Sequence, residues 1–147
     1  MPLVVLRFFL LIAVLPSSVI LVGTGAVTVV AGMPHYPGWE VDAAYRGRWR
    51  QTEHRAGVRI ERFRHHVPGR QSAARRAVYE ATFLAHAGLR GPRLRPDAVL
   101  GVIPSMSGGV LARIAAGRAR AAYGIIVQDI MSAAAAQSGI SGGRRAA

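Results

Sequence analysis

The chain contains no cysteine. A disulfide framework, a thiolate-ligated metal and a thiol nucleophile are thereby excluded, while the compartment stays open, because cytosolic proteins also do without cysteine. Lysine is missing too. All 19 basic residues are arginine, more simply a codon-usage effect of a GC-rich genome than a selected binding property. Without lysine there is no Gly-rich loop of the GxxxxGK[ST] kind to grip a nucleotide phosphate. No pair of acids stands at a spacing suited to glycosidase chemistry, and chain order alone argues for no Ser-His-Asp arrangement. Internal repeats are absent, and so is any nucleic-acid-binding motif.

Acidic side chains are scarce: seven, against 19 arginines, which leaves a net charge of +12. Thirteen of the arginines fall between Arg46 and Arg95. Such a stretch can meet phosphates on a nucleic acid or an anionic membrane surface, or it can be a solvated basic face. Few aromatics interleave with it and the arginines do not form one helical stripe, so no nucleic-acid partner is expected. The length of 147 residues fits one domain and leaves no room for a second of ordinary size.

Charge vanishes altogether between Phe8 and Trp39. This accounts for a mean hydropathy of +0.26 in a chain of otherwise ordinary polarity. The opening MPLVVLRFFLLIAVLPSSVILV carries one charged side chain, Arg7, and is broken by Pro16, Ser17 and Ser18. It reads as a signal-peptide core, a weak membrane span, a buried first strand or a mis-called start, and these remain open.

From Ala26 onward, strand-like and helix-like segments alternate, the pattern of a parallel α/β sheet. AVTVV (26–30) is a short apolar run as expected of a strand covered on both faces, AVLGVI (98–103) reads as another buried strand, and YGIIV (123–127) as the last strand. Residues 49–64 suggest two strand-like pieces around Ala56-Gly57. Ser72 can cap a helix running to about Ala87, with Ala77, Val78, Ala81, Leu84 and Ala85 as its buried stripe. Arg75, Arg76, Glu80 and His86 then point away, and Gly88 or Gly91 ends the helix. Further helices are expected over 110–116 and 130–137.

In an open parallel sheet, ligands bind outside the carboxyl ends of the strands. The segments MPHYP, RHHVPG, PSMSGG and QDIM leave those ends. They bring His35, Tyr36, His65, His66, Ser105, Ser107 and Asp129 toward one rim. Asp129 can act as a general base or accept a hydroxyl, or it can cap the next helix. The serines and glycines of PSMSGG precede a helix start, which favours anions but is equally a plain strand-to-helix turn. His35 and Tyr36 sit in a loop stiffened by prolines, where they are either presented to a ligand or stacked without one. His65 and His66 are adjacent and so face opposite ways, which opposes a shared metal site.

The stretches VTVVAGMPHYPGW, EHRAGVRIERFRHHVP, and PDAVLGVIPSMSGG followed by YGIIVQDIMSAAAAQSGI resemble bacterial family-4 glycosyltransferases of the GT-B fold. The likeness is to those that build cell-surface polysaccharides, and it spans roughly Gly25 to Gly142. It implies a Rossmann-like open parallel sheet with flanking helices, the incomplete N-terminal half of a two-domain enzyme. Residues 26–147 would be the partial acceptor domain, residues 1–25 a segment outside the family pattern, and the C-terminal donor domain absent. The resemblance further implies a glycan or lipid-linked sugar acceptor at the cytoplasmic face of the inner membrane. The nucleotide-sugar would be held by the missing half, with no metal or other cofactor needed. It places Asp129 near the reacting sugar, and His35 and Tyr36 on the acceptor side; His65, Ser105 and Ser107, brought toward the same rim by the strand exits, are the further acceptor-binding candidates. Alone, such a half would be inactive. The competing expectations are a membrane-anchored basic module that is no enzyme, and a remnant without function.

Overall fold

The computed structural model describes residues 18–23, 26–90, 94–103 and 105–127. The strands are β1 (Ser18–Gly23), β2 (Ala26–Gly32), β3 (Arg50–Arg55), β4 (Val58–Phe63), β5 (Ala98–Ile103) and β6 (Ala122–Val127). Two helices, α1 (Ala73–Arg90) and α2 (Met106–Ala119), and a 3-10 turn at Ala43–Tyr45 complete the described chain. The fold is α/β, with one six-stranded sheet in the order β3-β4-β2-β1-β5-β6.

The sheet is mixed, which corrects the expectation of a purely parallel one. β2 and β4 are parallel, as are β5 and β6, but β1 lies between the two pairs and runs antiparallel to both neighbours. β3 is antiparallel to β4. The reason is connection length. Gly23 pairs with Ala26 across only two intervening positions, and β3 meets β4 across Ala56 and Gly57, whose positive φ values of 50° and 81° suit a two-residue hairpin. Neither link is long enough for a crossover. The net result is that β2, β4, β5 and β6 all point the same way, so their carboxyl ends share one edge.

Alternation along the strands splits the core. Val19, Leu21, Val30, Phe63 and Val99 face the helices and pack with Phe83, Ala87, Leu111 and Ala112. Ile20, Val29, Ala31, Ile60 and Val102 form the buried opposite face. Helix α2 lies close on β5 because both surfaces are small there. A Cβ at Gly101 would stand 3.1 Å from Gly109 Cα and 3.1 Å from Ala112 Cβ.

Both helices depart from expectation. α1 does begin just after Ser72, whose hydroxyl accepts from Arg75 N, but it passes through Gly88 to Arg90. Its buried stripe is Tyr79, Phe83 and Ala87, with Leu84 of the expected stripe packed partly buried beside it; Ala77, Val78, Ala81 and Ala85 are exposed. Rings at i and i+4 bury far more apolar area than methyl groups, and that decides which face turns inward. α2 starts four residues earlier than its apolar pattern suggests, since Gly108 and Gly109 are helical contacts with the sheet rather than a loop.

Part of the arginine cluster is internal counter-charge. Arg50 and Arg59 close on the fully buried Glu61, and Arg62 closes on Glu53. No helix among the described residues is long and apolar enough to cross a membrane.

Candidate functional site

Three strand exits meet at the shared carboxyl edge. β2 leads to Met33 and His35, β4 to Arg64 and His65, and β5 to Ser105 at the start of α2. Met33 N donates to Phe63 O at 3.2 Å, which ties the first two exits together. The fourth exit, with Asp129, lies outside the described residues.

His35 and His65 are both buried, with ring centroids 5.1 Å apart in an edge-on arrangement. Tyr79 of α1 packs against each, at 5.6 Å and 4.8 Å. His35 Nδ1 donates to Met33 O at 2.9 Å, and His65 Nδ1 donates to Phe63 O at 3.3 Å. Each ring is thus held as the tautomer whose Nε2 carries a lone pair. His65 Nε2 has no hydrogen-bond partner among the described residues. Its imidazole lies against the backbone of Gly32, where a Cβ would come within 2.5 Å of the ring, so glycine is required there by close approach. Burial lowers the pKa of His35, helped by the nearby Arg76 charge. Burial likewise depresses His65 to about 4, with His35 adding to the effect, while the Phe63 carbonyl and Glu80 oppose it. Both rings are therefore neutral near pH 7.

The start of α2 is an anion site that the chain fills itself. Glu80 Oε2 accepts from Ser105 Oγ at 2.6 Å, from Ser107 N at 2.9 Å, and from Ser107 Oγ. Its other oxygen takes Arg76 Nε at 2.9 Å. Burial alone would raise the Glu80 carboxyl, but the serine donors and Arg76 outweigh it and hold it below its usual range. Ser105 and Ser107 are themselves buried, so their hydroxyls and the helix amide face a carboxylate of the same chain. Glu80, expected to point away, is the centre of this network. Its partners lie 25 and 27 residues further on, and no local sequence signal marks them.

Beside the histidines runs an open groove of about 660 Å³. Trp39 and Trp49 line it, with Arg46, Arg64, His66 and His86 between them. Trp49 is 55% exposed, stacks edge-on against His86 at 5.2 Å, and lies under the Arg64 guanidinium at 5.2 Å. His86 is fixed by donating from Nδ1 to Arg64 O, and the loop is fastened to α1 by His66 N donating to Thr82 Oγ1 at 2.9 Å. Trp39 holds a left-handed φ of 53° and packs 5.5 Å from His35. A bulky residue in that region is strained, and its surroundings must hold it there.

The structure therefore brings His35, His65, Ser105 and Ser107 to one connected cluster through Tyr79, Arg76 and Glu80. Tyr36 does not join it and stands 75% exposed. The two histidines of the RHHVPG segment separate as expected, His65 inward and His66 outward. The tryptophans were missed as site residues, although Trp39 sits within the MPHYPGW stretch. No group of three or more potential metal ligands is present among the described residues. Comparison with protein-family models, with curated proteins and with solved structures returned no match.

Proposed function

We propose that the chain is the acceptor-binding half of a glycosyltransferase and holds a glycan or lipid-linked sugar in the groove beside His65. The observation that supports this reading is the pair of tryptophans flanking guanidinium and imidazole groups at the carboxyl edge of the parallel strands. A sugar presents C–H faces that pack on indole rings and hydroxyls that need donors and acceptors. Trp39 and Trp49 suit the first need, and His66, His86 and Arg64 suit the second. His65 lines the groove and packs on His35 and Tyr79 behind it, and the Glu80–Ser105–Ser107 network fixes the neighbouring helix.

In this reading Asp129 is the general base or hydroxyl acceptor at the reacting sugar, and the nucleotide-sugar donor sits on a second domain. Transfer is then expected only when a donor-binding domain is present, at the cytoplasmic face of the inner membrane where lipid-linked acceptors are found. Titration of the full chain with polyprenyl-phosphate-linked sugars and free oligosaccharides, followed by tryptophan fluorescence, tests it. A saturable change with at least one sugar is expected. No saturable change with any of them overturns the reading.

A further inference from the structure

A second concavity lies away from the histidine cluster, between the C-terminal halves of α1 and α2. Its volume is about 720 Å³, within the range of about 300–1,000 Å³ usual for small-molecule sites. Val19, Leu21 and Val30 of the sheet form its floor. Ala87 on one helix, and Leu111 and Ala115 on the other, form its walls. Leu89 at 81% exposure and Ile114 at 38% leave apolar surface in water at its border. Among the described residues the only charged groups lining it are Arg95 and Arg118, and neither makes an ion pair there.

The lining selects a ligand class by what it offers. Apart from the two arginines every described lining side chain is aliphatic, or glycine or proline, so a sugar, a base or a ring would find no side chain but the guanidiniums to orient it. An alkyl chain needs only such walls, and burying it stabilises by about 0.8 kcal/mol per methylene. Two guanidiniums without an ion pair among the described residues suit an anion, which they bind by charge-assisted hydrogen bonds. We propose that this cavity binds a single-chain anionic amphiphile, with its alkyl chain over the exposed Leu89, Leu94 and Ile114 and its head group at Arg95 and Arg118. This site is separate from the groove and does not rest on the glycosyltransferase reading.

The test is displacement of a fluorescent fatty-acid probe from the full chain by dodecanoate, dodecyl phosphate and dodecanol, all below their aggregation concentrations. One saturable site per chain is expected, with both anions binding at least about tenfold more tightly than the alcohol. Arg95→Gln/Arg118→Gln, at exposed positions that leave the fold intact, should remove that preference and leave dodecanol unchanged. Ala115→Leu, checked for an unaltered circular dichroism spectrum, should weaken all three ligands. Equal affinity for dodecanol, many sites per chain, or insensitivity to the arginine pair overturns the proposal. So does sedimentation with phosphatidylglycerol vesicles without binding of the free amphiphiles, which assigns the arginines to a bilayer surface.

Discussion

Glu80 of α1 caps the first turn of α2: its Oε2 lies 2.9 Å from Ser107 N and also takes the Ser107 hydroxyl. One carboxylate joins two helices and occupies the place where an external anion would otherwise bind. Phosphate or sulfate should therefore leave the melting temperature unchanged through this site, whatever they do elsewhere.

Removal of that carboxylate leaves buried donors on Ser105 and Ser107 without an acceptor. Glu80→Ala should destabilise by about 2–4 kcal/mol, and Glu80→Gln by less, since the amide oxygen still accepts. Ser107→Ala removes one hydroxyl and should cost about 1 kcal/mol. Urea midpoints read at constant m-value measure all three. Equal losses in Glu80→Ala and Ser107→Ala would contradict the assigned geometry.

Acid should loosen the molecule well above the pH at which carboxylates titrate. His65 is depressed from 6.5 to about 4 in the folded chain, so the unfolded chain binds more protons between those values. Its contribution is complete above about pH 6.5 and is lost as pH falls toward 4, amounting to about 3 kcal/mol for a shift of that size. His35, also lowered, acts in the same direction. Glu80, lowered too, adds its loss at still lower pH. Stability measured from pH 7.5 to 4.5 should fall steeply in the wild type and distinctly less in His65→Gln.

Strand positions were legible because a run such as AVLGVI has no charge to expose and must be covered on both faces. Strand direction was not, since a buried apolar run reads the same either way. The signal that decides it is the short link between Gly23 and Ala26, hidden inside an apolar stretch that also reads as a membrane segment. The face of α1 was misread for a related reason. Five small or aliphatic residues form as good a stripe as Tyr79 and Phe83, and Glu80 belongs outside by charge alone. Only contacts across 25 residues or more reveal its partners. The histidines were legible as a place, at the ends of β2 and β4, because the sheet edge follows from strand order; their tautomers and burial were not.

Gly32 is fixed by the ring above it. Gly32→Ala places a methyl group 2.5 Å from His65 Cε1, closer than real contacts allow. The imidazole packs edge-on against Tyr79 and His35, so retreat from the new methyl disturbs those ring contacts. A loss of about 1–3 kcal/mol is expected. The double mutant Gly32→Ala/His65→Ala should be less unstable than the sum of its parts, because the clash needs both groups. Strict additivity in the cycle would show that the ring does not rest on Gly32.

Trp49 separates binding from folding. More than half of its surface is exposed, and its ring meets the His86 imidazole edge-on and lies under the Arg64 guanidinium. Trp49→Ala should change stability by no more than about 1 kcal/mol, since little apolar area leaves the core. If the groove holds a sugar, the same change removes a stacking face worth about 1–2 kcal/mol and weakens glycan binding about tenfold. Trp49→Phe keeps a ring of smaller area and should fall between the two. Urea denaturation and glycan titration on the same three proteins give both numbers. Unchanged affinity in Trp49→Ala would remove the groove from the acceptor path, and a large loss of stability would make the tryptophan a structural residue.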